Sequence, residues 1–214
     1  MAKREEKGTT IPWLGEAGEA GEALEGLFVA GADEASGGAV IAPPHPLYGG
    51  SMDSPVVSEL AWACTKADLA SLRFNWRGVG GSTGTPSGDL AVAAQDYAAA
   101  LLQLGRTVRG PLVAAGYSFG AAAAVRAAAD QPRVRRLVLV APPPGLLDVE
   151  ALRAGERAVL LLAGEHDAIA PPAALDAIAR SLPDARCVEL AGADHFFAAG
   201  LAQLTAELSN WLAG

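Results

Sequence analysis

The segment Gly116-Tyr117-Ser118-Phe119-Gly120 carries the strongest chemical signal in the chain. It stands between an apolar run, Leu112 to Ala115, and an alanine-rich run, Ala121 to Ala129, which read as a strand and a helix. A serine on a sharp strand-to-helix turn takes a strained backbone angle and holds its hydroxyl out at the helix N-terminus. Glycines on both sides leave room where a Cβ would meet neighbouring backbone. Ser118 is therefore a candidate nucleophile. The Phe119 N–H is a candidate donor to the oxyanion that forms when a carbonyl is attacked. G-x-S-x-G arises by chance in glycine-rich chains, and its place between strand and helix is what gives it weight.

A serine hydroxyl needs a base, and the base needs a carboxylate to orient it. The order expected after such a turn is Ser, then Asp or Glu, then His. The chain has three histidines. His195, in Ala193-Asp194-His195-Phe196-Phe197, follows the last strand-like run and is the candidate base. His45 precedes the serine, in the wrong order, and His166 reads as a loop residue. Asp167, in Gly164-Glu165-His166-Asp167, follows the strand-like run Ala158 to Leu162 and is the candidate acid. Asp148 is the realistic substitute. Glu165 competes as a neighbour, and Asp194 adjoins His195 awkwardly for a hydrogen bond to its ring.

A second oxyanion donor is expected from the loop Pro43-Pro44-His45-Pro46-Leu47-Tyr48-Gly49-Gly50. Pro46 has no N–H. Leu47 is the candidate, Tyr48 its alternative, and His45 a brace for the loop. A second glycine-rich stretch, Asn75-Trp76-Arg77-Gly78-Val79-Gly80-Gly81-Ser82, tempts a nucleotide-binding reading. The third glycine of G-x-G-x-x-G would fall at Thr83, and no G-K-S/T occurs, so it reads as a tight turn beside the oxyanion loop.

These residues need elements to hold them. Short apolar runs at 27–30, 39–42, 72–76, 112–115, 137–140, 158–162 and 186–190 read as strands. Between them, 56–69, 89–104, 121–129, 173–182 and 201–212 have helical spacing. Pro55 sits at a first turn, Asp89 at an N-cap, and Gly105 at a stop. Continuous apolar strands alternating with helices imply a mostly parallel α/β sheet covered on both faces, with ligands bound beyond the strands' carboxyl ends. The candidate residues all fall there. About sixteen residues separate Ala141 from the next strand, three of them prolines, which is a loop and not a cap domain. Trp76, Tyr117, Phe119, Phe196 and Phe197 are candidates to line an open cleft.

The 214 residues suit a single domain spanning 1–214, with 1–26 a poorly defined N-terminal segment; Gly15 to Gly26 reads as loose chain or a hairpin entry. Half the residues are hydrophobic (51%) and 19% are charged, which supports a large core and excludes disorder. A net charge of -8 disfavours nucleic acid and anionic membranes as partners. Cys64 and Cys187 have no metal or redox spacing and read as buried small hydrophobes. The charged N-terminus lacks a signal-peptide core, and no apolar run is long enough to span a bilayer, so a cytoplasmic location is expected.

Together, His45-Pro46-Leu47-Tyr48-Gly49-Gly50, Arg73 to Ser82, Gly116 to Gly120, Gly164 to Asp167 and Ala193 to Phe197 resemble a bacterial family of small, lidless α/β-hydrolases. Its members are described as predicted esterases, distantly similar to dienelactone hydrolases. The resemblance runs from about Val29 to the C-terminus; residues 1–26 and Thr83 to Leu90 fall outside its pattern. It implies the α/β-hydrolase fold without a cap and a triad on Ser118, Asp167 and His195. It implies oxyanion donors at Leu47 and Phe119. It also implies hydrolysis of small acyl ester or thioester substrates without metal or cofactor. Two other readings stand beside it: an amide-directed acyl hydrolase or peptidase, and a hydrolase fold kept for binding alone.

Overall fold

The structure, a computed structural model, describes residues 5–13 and 22–214. Its strands are β1 (Glu6–Pro12), β2 (Ala23–Val29), β3 (Gly38–Ala42), β4 (Ala70–Phe74), β5 (Leu112–Tyr117), β6 (Val134–Val140), β7 (Ala158–Gly164) and β8 (Ala185–Leu190). They form one sheet in the order β1-β2-β4-β3-β5-β6-β7-β8. The pairs β1/β2 and β2/β4 are antiparallel, and all the others are parallel. The expected mostly parallel sheet is present. Its central strands β3, β4 and β5 are buried along their whole length; β3 and β5 therefore read as apolar runs, whereas β4 also buries Ser71 and Arg73.

The helices are α1 (Pro55–Lys66), α2 (Leu90–Thr107), α3 (Phe119–Ala128), α4 (Val149–Ala154), α5 (Pro172–Arg180) and α6 (Leu201–Ala213). α1 packs with α6 on one face of the sheet and α2 with α3 on the other. Alanines let α3 lie close on the sheet: Ala121 to Ala124 are all fully buried. Pro55 opens α1, and the Asp89 carboxylate accepts the Ala91 N–H at the start of α2, as their positions predict.

Three expectations are corrected. Part of the segment expected to be poorly defined is strand: residues 6–12 and 23–29 form an antiparallel hairpin on the sheet edge. β1 is hard to read because only Ile11 points into the core, and its polar remainder faces outward. It is held at its far end by the Arg73 guanidinium, which donates to Glu6 at 2.9 Å. The loose reading of Gly15 to Gly26 lies largely outside the described residues. Helix α2 does not stop at Gly105 but runs on to Thr107. The Arg133 guanidinium satisfies the carbonyls of Gly105, Val108 and Gly110 there, so the helix end needs no glycine cap. Cys64 is buried as expected, but Cys187 on the edge strand β8 is only half-buried.

The connection from β6 to β7 carries a 3-10 turn at Pro144–Leu146 and the six-residue α4, with no cap domain. Among the described residues, no helix is long and apolar enough to cross a membrane.

Candidate active site

β3 has β4 on one side and β5 on the other. The connection after β3 runs through α1 on one face of the sheet and that after β5 through α3 on the other, so a crevice opens at the carboxyl ends of β3 and β5. Ala42 pairs with Gly116 across it, which sets the loop after β3 beside the turn after β5. The sheet order therefore brings residues 43–50 to Ser118.

Ser118 has φ 54° and ψ -118°, a conformation that non-glycine residues rarely adopt. It is held because the turn has no slack. A Cβ on Gly116 would run into the Gly120 backbone, and one on Gly120 into the Pro43 carbonyl. The Ser118 N–H also donates to Val140 of β6 at 2.8 Å. α3 begins at Phe119, so the Phe119 N–H stands in a first helical turn, where it has no partner within the helix.

The structure brings Ser118, His195 and Asp167 together. Ser118 Oγ lies 3.0 Å from His195 Nε2, and His195 Nδ1 lies 2.8 Å from Asp167 Oδ2. With Asp167 ionised, its oxygens accept the Nδ1 proton, and Nε2 is left to accept from the serine. Burial by itself would raise the Asp167 carboxyl. Hydrogen bonds from His195, Ala170 and Ile169 outweigh it and hold the carboxyl below the ordinary carboxylate range. Gly164 makes the approach possible: a Cβ there would strike the Ala193 carbonyl, which also accepts from the His166 N–H. The rival carboxylates are engaged elsewhere. Asp148 caps α4 through the Ala151 N–H, Glu165 accepts from Gly192, and Asp194 accepts from Phe196.

The loop after β3 is tied down from several sides. Trp76 Nε1 donates to the Pro44 carbonyl at 2.9 Å, so the second glycine-rich segment does pack beside this loop. The His45 ring lies against Phe119 and Tyr48, with centroids 4.6 and 4.7 Å apart. The Leu47 N–H donates to His45 Nδ1 at 3.2 Å. It must share or exchange that bond to serve an oxyanion. Burial lowers the pKa of His45, which keeps Nδ1 an acceptor at neutral pH.

Ser118 and His195 open onto a cleft of about 750 Å³. Of the aromatic residues expected to line it, Tyr117, Phe119 and Phe196 do; Trp76 and Phe197 are buried in the core. Three contributions were not foreseen in the sequence. Leu146 and Ile169 form part of one wall, and the Tyr117 hydroxyl donates to the His195 carbonyl at 2.8 Å. Apolar residues stranded in loops after β6 and β7 were the available signal for the first two; nothing local marks the third. Among the described residues, no group of three or more His, Cys, Asp or Glu side chains is placed to ligate a metal ion.

A family model described as Hydrolase_4, serine aminopeptidase, S33, matches residues 47–151, a span that includes Ser118 but ends before Asp167 and His195. A solved α/β serine hydrolase homologue from Coxiella burnetii is 30% identical, with 97% of each chain covered and a TM-score of 0.84. An α/β serine hydrolase without lid from Xanthomonas campestris is 28% identical over 96% of this chain and 93% of its own, at a TM-score of 0.77. An uncharacterized protein of Rickettsia prowazekii is 26% identical over 88% of this chain and 84% of its own. This chain belongs to the α/β serine hydrolases, in the lidless form that its motifs resemble.

Proposed function

We propose that the protein is a serine esterase that cleaves small carboxylic esters or thioesters through an acyl-enzyme on Ser118. The observation that carries this reading is the unbroken chain from Ser118 Oγ through the His195 ring to the Asp167 carboxylate, at 3.0 and 2.8 Å, facing an open cleft. In the proposed reaction His195 Nε2 takes the Ser118 proton as Oγ bonds to the acyl carbon. The oxyanion accepts from the Phe119 N–H and from the Leu47 N–H, released from His45. His195 then gives its proton to the leaving alcohol or thiol. Water repeats the sequence on the acyl-enzyme, with His195 as base, and frees the acid. Asp167 holds the ring in the required tautomer and stabilises its protonated form.

Hydrolysis of p-nitrophenyl acetate, butyrate and octanoate by the wild type and by Ser118→Ala tests this. Turnover that disappears in Ser118→Ala is expected. Equal rates in the two proteins overturn the assignment of Ser118. A wild type inactive on all three esters moves the reading to an amide-directed hydrolase or a binding protein.

The serine aminopeptidase description of the matching family model favours amide substrates as a second reading. The same three residues would serve it. Release of nitroaniline from amino-acid p-nitroanilides, with no turnover of the esters, would establish it.

A further inference from the structure

We propose that the cleft selects esters that carry no formal charge on either side of the scissile bond; this rests on the esterase reading of Ser118. None of the described residues lining the cleft is Asp, Glu, Lys or Arg. Its walls rise on both sides of β5. The loop after β3 and the start of α1 give His45, Tyr48 and Ser54; the loops after β6, β7 and β8 give Leu146, Ile169 and Phe196. Tyr48 and Phe196 are 87% and 72% exposed, so the mouth is apolar out to its rim. Seven large hydrophobic side chains stand exposed among the described residues, and four of them line this one cleft. That concentration sets the mouth apart from the rest of the surface.

The ionisable groups close by in sequence do not change this. Asp194, Glu165 and Asp148 turn their carboxylates to backbone N–H groups, and Asp53, beside Ser54, is exposed to water outside the lining. Arg77, beyond Trp76, is buried against Asp96 at 2.6 Å. His45 is neutral at neutral pH, its pKa lowered by burial. Two charges lie behind the lining: Asp167, which backs His195, and Asp194, and both act on Tyr117 and repel an anion further. A carboxylate entering the cleft would shed water and find no opposite charge; an ammonium group would find only carboxylates set behind the lining and already hydrogen-bonded to His195 or backbone N–H groups, and an uncharged group avoids both costs. A free amino-terminal substrate meets the same obstacle, because no described lining carboxylate is there to hold its ammonium group.

Paired esters of matched shape test the proposal on each side of the bond. For the acyl side the pair is p-nitrophenyl hydrogen adipate and p-nitrophenyl methyl adipate. For the leaving group it is butyrylcholine and its carbon isostere, neohexyl butyrate. In each pair the charged member is expected to have a kcat/KM at least ~30-fold lower, the adipate pair differing more. A gap below about tenfold in either pair overturns the proposal. Leu146→Arg supplies a cation to the wall and is expected to narrow the adipate gap about tenfold. An unchanged gap in that variant also overturns the proposal, since the cleft would then not be what discriminates. Failure of the esterase reading looks different: no member of either pair is hydrolysed and a fluorophosphonate leaves Ser118 unlabelled. That outcome removes both conclusions, whereas equal hydrolysis of charged and neutral esters removes this one alone.

Discussion

The Tyr117 hydroxyl, one residue before the candidate nucleophile, donates to the backbone carbonyl of His195 at 2.8 Å. It ties the turn after β5 to the loop after β8, two segments the sheet order sets three strands apart. Burial pushes the Tyr117 hydroxyl up to about 12, with Asp167 and Asp194 adding to the shift, so it remains a donor throughout the working pH range. On the proposed mechanism, Tyr117→Phe loosens His195 without touching its ring. A single net hydrogen bond is worth roughly 1 kcal/mol, so kcat is expected to fall about fivefold to tenfold. Steady-state kinetics on p-nitrophenyl butyrate check it; an unchanged kcat would show that the bond does not position His195.

Asp167→Asn and Asp148→Asn separate the two carboxylates that the sequence leaves in competition. Asp167→Asn is expected to lower kcat by about 10³- to 10⁴-fold by stabilising the wrong tautomer of His195. Asp148→Asn keeps an N-cap on α4 and should leave kcat within about threefold of wild type. A larger loss in Asp148→Asn would assign the acid to Asp148.

The same carboxyl makes acid stability a separate readout. Its folded pKa is lowered, so its contribution to stability is fully present above the unfolded value of about 3.9 and fades as pH falls through the lower folded value. The Tm difference between wild type and Asp167→Asn should shrink as pH falls below about 4. A difference that stays unchanged from about pH 5 down to about pH 2 would show that the fold does not stabilise this carboxylate.

Gly120→Ala drives a methyl group into the Pro43 carbonyl, at the root of the loop that carries Leu47. Relief requires the loop or α3 to move. Overpacking of this kind costs about 1–3 kcal/mol, visible as a lower urea midpoint, and kcat/KM should fall by more than ~100-fold. Wild-type activity in a folded Gly120→Ala protein would separate the loop after β3 from catalysis.

Neither cysteine should react in the native protein. Burial pushes the Cys64 thiol up to about 12. Burial, then Asp176 and Glu189, push Cys187 up to about 11. At pH 8 the thiolate fractions are then about one in 10⁴ and one in 10³, against roughly a quarter for an unperturbed thiol. Ellman's reagent should find no fast thiol at pH 8 and two thiols after denaturation. Rapid loss of one thiol from the native chain would show β8 opening at the edge of the sheet.

Much of this protein was legible because its signals are local. The apolar runs of β3, β5 and β7 and the second half of β6 mark strands buried on both faces, and Gly116 to Gly120 mark a turn whose strain admits few other residues. Ser118, Asp167 and His195 come in the chain order expected of such a triad, and each follows a strand, although the hydrogen-bonded chain runs from Ser118 through His195 to Asp167. What the sequence could not decide were relations across the sheet. β1 has one inward apolar residue, Ile11, too few to show a period. The end of α2 is set by Arg133, more than twenty residues away, and not by Gly105. The choice between Asp167 and Asp148 turns on which carboxylate reaches the His195 ring and which closes the first turn of α4. The uncharged cleft is assembled from loops after five different strands. Only the pairing of those strands brings Tyr48, Leu146, Ile169 and Phe196 around one serine, because residues far apart in the chain meet only when the backbone has folded.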